Sequence, residues 1–186
     1  HLMFTTLLNF CSNDLSAFYF DIRKDTIYCD SSSSLKRRSA RSLLDIIFNF
    51  LVRWLAPSLS FTSEEAWKAR GCSSSVHLED FLTAKESFCN HNLKNKWNII
   101  KQVRRVITGA LEKKRADKII GSSLEAHIDI YLEDKVLQKI KEIDFEEIAI
   151  TSSFNLYSIN KDVKGFALED VKNVIVSVNK NKGSKC

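Results

Sequence analysis

Apolar positions along the first 120 residues recur with helical spacing. Leu2, Met3, Leu7, Leu8 and Cys11, followed by Leu15 and Phe18, lie on one face of an amphipathic helix over residues 1–20. The next stretch, Tyr19 to Tyr28, places Phe20, Ile22 and Ile27 unevenly and reads as an irregular or short extended connection. Ser31 to Ser34 offer hydroxyl caps and no apolar side chain, and a helical pattern follows from Leu35 to Leu55 before Pro57 ends it. From Leu43 to Leu55 that helix is apolar nearly all round, which predicts a central, buried element. Thr62 and Glu65 have capping-box spacing and predict a short helix through Trp67 to Arg70, stopped at Gly71. A third long helix is predicted from Leu93 to Ile119, ended by Gly121. Ile100, Val103, Ile107, Ala110 and Leu111 form its apolar seam, flanked by Lys101, Arg104 and Arg105.

Beyond Gly121 the period changes. Ile128, Ile130 and Leu132 alternate with polar residues as a strand does, Lys135 to Ile143 has helical spacing, and residues 148–157 and 171–178 again read as extended. The expected fold is therefore mainly α. A helical bundle over residues 1–121 precedes a small α+β module over residues 122–186.

Composition narrows the functional classes. Five cysteines at irregular spacings, without a CxxC pair, do not describe a disulfide framework, and a reducing cytoplasm is the expected location. The apolar run Leu43 to Leu55 is broken by Asp45, Asn49 and Arg53, so no transmembrane helix is expected. The opening His1-Leu2-Met3-Phe4 reads like the interior of a helix, as in an excised fragment. The net charge of +5 is unevenly spread: residues 31–119 are strongly basic and residues 120–170 net acidic. Such asymmetry suits a polyanion-binding surface and also a solvated helix face.

No glycine-rich phosphate loop of the GxGxxG or GxxxxGK[ST] kind occurs, and the four histidines lack HxxxH or HExxH spacing. Cys72, His77, Cys89 and His91 invite a zinc reading, but their gaps do not match those of structural sites, and buried thiols are the simpler reading. Asn9 and Asn13, one helical turn apart, can present paired donors and acceptors to nucleotide bases, or can form a solvated face.

The block Asn9-Phe10-Cys11-Ser12-Asn13-Asp14-Leu15-Ser16-Ala17-Phe18-Tyr19-Phe20-Asp21-Ile22-Arg23-Lys24-Asp25 resembles the opening of the anticodon-binding helical domain of bacterial isoleucyl-tRNA synthetases. Three further blocks resemble the same family in the same order: Trp54 to Pro57 with Phe61 to Trp67, then Val76 to Phe81, then Ile120 to Ala126. The HIGH and KMSKS signatures of the catalytic domain are absent. The resemblance therefore implies the tRNA-binding C-terminal part of a ligase whose aminoacylation chemistry lies elsewhere.

For such a fragment the resemblance implies isoleucine tRNA and the catalytic domain of the same parent chain as partners, with no cofactor of its own. The parent would use ATP with Mg, and Zn where the C-terminal zinc module is present. Cys186 either resembles the first ligand of a C-terminal zinc module in that family, which would bind zinc only in the parent, or is an ordinary terminal cysteine. By chemistry and position, Asn9 and Asn13 are base-facing candidates. Arg37, Arg38, Arg41, Lys101, Arg104 and Arg105 are phosphate candidates. Trp97 is a stacking candidate, although its place beside the apolar seam also suits a core residue. The alternatives are the corresponding domain of valyl-tRNA synthetase, whose long C-terminal coiled coil has no counterpart here, and a stand-alone helical protein-interaction module.

Overall fold

A computed structural model describes residues 1–159 and 163–181. Two compact units divide the chain, His1–Cys89 and Asn90–Cys186.

The first unit opens with helix α1 (Leu2–Asn9), which runs directly into a π-helical segment, Phe10–Phe20, and then into α2 (Asp21–Tyr28). Residues 19–28 are thus helical, contrary to the irregular connection expected from the sequence. Phe20 and Ile22 resemble the alternation of a strand, but Ile22 and Thr26 are four apart and both buried, with Asp21, Arg23, Lys24 and Asp25 around them. Helix α3 (Leu35–Leu55) has the expected bounds, and its cap is Ser34, whose Oγ accepts the Arg37 N–H at 3.4 Å.

The apolar second half of α3 is less enclosed than expected. Val52 is its one buried residue among the described set, whereas Leu43, Ile46 and Trp54 stay 41%, 38% and 37% exposed. Helices α2 and α4 (Ser60–Ala69) pack against α3. An apolar groove of about 280 Å³ remains along Leu43, Ile46, Phe50, Trp54 and Phe88. The small core on the other side comprises Val52, Ala56, Trp67 and Val76, with the Arg53 guanidinium 5.3 Å from the Trp67 ring.

Helix α4 begins at Ser60, with the Ser63 N–H bonded to the Leu59 carbonyl at 2.8 Å, so Thr62 lies inside the helix and does not cap it. Glu64 reaches the following loop instead: its Oε2 accepts the Ser75 hydroxyl and the Val76 N–H, each at 2.9 Å. The Val76 bond, followed by the Ser75 bond, holds the Glu64 carboxyl below its ordinary value of 4.5. A carboxyl depressed in the folded state contributes stability that is complete above its unfolded pKa and lost as pH falls through the lower folded one. Glu64→Gln should therefore flatten the acid limb of the melting temperature plotted against pH below about 4.5. An acid limb unchanged from the wild type would mean that these two bonds do not stabilise the unit.

The second unit is built on α5 (His91–Ala116), capped by Asn90 Oδ1 accepting the Leu93 N–H at 2.9 Å. Its seam, Ile100, Val103, Val106, Ile107, Ala110 and Leu111, is buried against a three-stranded sheet. Strands β1 (Ala126–Leu132), β2 (Ser153–Ser158) and β3 (Val174–Lys180) lie in the order β2-β1-β3, with β1 parallel to β2 and antiparallel to β3. Ala126, Ile128, Ile130 and Leu132 all point into the core, as the alternation predicted. Between β1 and β2 come α6 (Asp134–Ile140) and α7 (Phe145–Ala149), the latter capped by Asp144 and closed by Ile150 at φ 57°. Residues 148–152, expected to be extended, are the end of this helix and its exit.

Compactness thus divides the chain at Cys89 and Asn90, whereas the sequence placed the junction at Gly121. The cause is the seam of α5, which is covered by the sheet that follows it, so the change of period at Gly121 falls within one core. Gly121 does not end α5 either: the helix closes at Ala116, and Lys118 takes the left-handed conformation at φ 56°.

Candidate nucleic-acid interface

In the first unit the basic first turns of α3 face the ends of α2 and α4. Arg38 and Arg41, three residues apart, lie on neighbouring positions of one helix face. They line a cleft of about 670 Å³ together with Ile27 of α2, Asp45 and Phe48 of α3, and Arg70 at the close of α4. Arg70 donates from Nε (3.1 Å) and Nη2 (2.7 Å) to Asp45 Oδ1. That hydrogen bond and the carboxylate's charge raise the pKa of Arg70 further above its ordinary value. Both partners are half exposed, so the pair contributes little to stability. Its effect is orientational: it fixes the Arg70 guanidinium at the cleft and offsets the one carboxylate that would repel an anion there. Three guanidiniums around one carboxylate leave the cleft cationic, and each can donate paired hydrogen bonds to phosphate oxygens.

Arg70 was missed from sequence because only the packing of α4 on α3 brings it to Arg38 and Arg41. Arg37, named beside them, turns elsewhere: its Nη1 donates to the Asp30 carbonyl at 2.5 Å, and Ser34 Oγ donates to Asp30 Oδ2 at 3.1 Å. It fastens the serine turn ahead of α3. Asn9 and Asn13 are exposed, at the end of α1 and in the π-helical segment, and do not line the cleft.

The remaining candidates belong to the second unit. Trp97 is half-buried and packed on the core that α5 shares with the sheet, the alternative weighed for it from sequence. Arg104 Nε donates to the Ile148 carbonyl at 2.9 Å and ties α5 to the end of α7. Arg105 pairs with Asp170 at 2.9 Å in an exposed contact, and Lys101 is half-buried on the same helix. Cys186 lies outside the described residues. Among the described residues no group of histidine, cysteine and carboxylate side chains is arranged to hold a metal ion, and no helix is long and apolar enough to cross a membrane.

A family model described as the anticodon-binding domain of tRNA ligase matches residues 1–130. The chain belongs to that family. Anticodon-binding domains of this kind give the basic cleft of the first unit its context, since the cleft lies wholly within the matched residues. The chain is 46% identical over 182 residues to an isoleucine–tRNA ligase of Agrobacterium fabrum, covering 97% of this chain and 19% of that protein. An isoleucine–tRNA ligase of Bartonella henselae is 47% identical over the same length, with the same coverage. One from Pelagibacter ubique is 43% identical over 187 residues, 100% of this chain and 20% of the relative. The chain thus spans about a fifth of the length of these relatives, and the similarity to each of them continues past the family model through the second unit.

Proposed function

We propose that this chain is the anticodon-binding region of an isoleucine–tRNA ligase and that its first unit docks on the anticodon stem-loop of isoleucine tRNA. The observation that carries the proposal is the convergence of Arg38, Arg41 and Arg70 on one cleft inside the segment matched by the anticodon-binding family. Stem phosphates call for guanidiniums held in place, and unpaired loop bases call for exposed amides such as those of Asn9 and Asn13. The isoleucine assignment is supported by the names of the relatives, which favour it over the valyl reading. Aminoacylation, with its ATP and Mg, belongs in this proposal to the catalytic domain of the parent chain, in the cytoplasm.

The test is a filter-binding titration with isoleucine tRNA at rising salt. Affinity should fall linearly on a log–log plot, because each phosphate contact releases counterions. Absence of binding at low salt would overturn the proposal and leave the stand-alone interaction module as the better account.

A further inference from the structure

The second unit carries a cationic cleft of its own, about 280 Å³, between the last turn of α5 and the outer edge of β3. Lys113 and Lys114 line it from the helix, Lys164 from the segment before β3, and Ser177 and Val178 from the strand; Asp117 is the one carboxylate in the lining. The helix dipole explains why lysines are favoured at the end of α5. It does not explain Lys164, which comes from a different segment and is brought to the cleft by two close approaches.

The first of these is at Gly109 on α5, where a Cβ would lie 2.7 Å from the Phe166 ring, so the missing side chain lets that ring seat on the helix. The second is at Gly165, where a Cβ would lie 2.6 Å from Ile175 Cγ2 and 2.8 Å from the Val176 carbonyl oxygen. Phe166 and Val176 exchange both backbone hydrogen bonds, at 2.8 and 2.9 Å, as an isolated antiparallel bridge on the outer edge of β3. Backbone groups alternate sides along an antiparallel strand, so Val178, two residues on, turns its N–H toward the same edge and into the cleft. The cleft thus combines three ammonium groups and a backbone donor.

We propose that this cleft is a second phosphate seat, and that it holds a phosphodiester of the RNA backbone. The inference rests on the tRNA-binding reading above and extends it to the second unit, whose sheet half carries none of the phosphate candidates read from sequence. A phosphate oxygen accepts from the Val178 N–H while the lysines neutralise its charge from both sides. Such a contact positions the RNA and reads no base.

The test uses the whole chain and the double variant Lys113→Ala and Lys164→Ala, both exposed positions at which truncation spares the core. In the wild type, inorganic phosphate should shift the amide resonance of Val178, and the variant should lose that shift. The slope of log affinity for tRNA against log salt should fall by about one in the variant, equally for tRNAs of any anticodon. An unchanged slope in this variant, with binding lost in an Arg38→Glu, Arg41→Glu variant, would overturn the second seat and spare the first. A phosphate shift at Val178 with no tRNA binding by any form would reduce the cleft to a small-anion site and overturn both proposals together. A wild-type spectrum indifferent to phosphate, with an unchanged slope, would overturn the second seat outright.

Discussion

Replacing Arg38 and Arg41 together by Glu should weaken tRNA binding about a hundredfold at low salt. Charge-assisted hydrogen bonds contribute about 1.5–3 kcal/mol each, and losing two of them corresponds to roughly two powers of ten or more. The loss should be the same for cognate and non-cognate tRNAs, because phosphates carry no sequence information. The salt slope should shrink by about two, near 0.9 per contact. The fold should persist: both side chains are exposed, and the core of the first unit lies at Val52, Ala56, Trp67 and Val76. Arg37→Ala is the contrasting change. Its guanidinium holds the Asp30 carbonyl, so the expected effect is on the stability of the serine turn, with the salt slope unmoved. Wild-type binding by the double charge reversal would remove the α3 cleft from the interface.

Phe145→Ala should destabilise the second unit by about 3–5 kcal/mol, the usual range for emptying a large aromatic site. Phe145 is fully buried, packs edge-on to Phe154 at 5.9 Å, and shares the core with Ile107, Ile128, Ile130 and Ile140. A domain is stable by only about 5–15 kcal/mol, so the loss takes much of the margin. Because the two units are separately compact, the damage should be confined. Hydrogen exchange should accelerate by about two powers of ten or more in α5 and β1, while α3 keeps its protection. Equal acceleration in both units would show that the chain unfolds as one cooperative body. Protection changing only near residue 145 would show that the site collapses onto the gap.

The contrast between these two variants follows how much of each unit could be read from the sequence. Helix α3 was legible because local signals agree: a serine cap at Ser34, a continuous apolar pattern, and Pro57 just beyond its end. Strand β1 was legible because burial on one face forces strict alternation from Ala126 to Leu132. Helix α7 was not, since five residues are too few to establish a period and its apolar members merge with the extended run that follows. The junction misled for a different reason: the chemical character of the chain changes at Gly121, but the core that α5 joins is settled by tertiary packing on the sheet.

The cleft shows the same division. That Arg38 and Arg41 share a cleft could be read from the sequence, because both sit on one helix, where spacing predicts a shared face. Arg70 reaches them only through the docking of α4 on α3, and its partner Asp45 gives no local sign of the pair. Arg37 and Arg104 read as phosphate candidates, yet both donate to backbone carbonyls, of Asp30 and Ile148, a use of arginine that composition does not announce.

The most direct measurement of the central claim compares isoleucine tRNA with the same tRNA carrying only a changed anticodon, each titrated against the chain over the same series of salt concentrations. If the first unit reads the anticodon loop, affinity should drop when the anticodon alone is replaced, while the salt slope set by phosphate contacts stays the same. Equal affinity for both tRNAs would contradict anticodon reading by this chain and leave it a phosphate-gripping surface only.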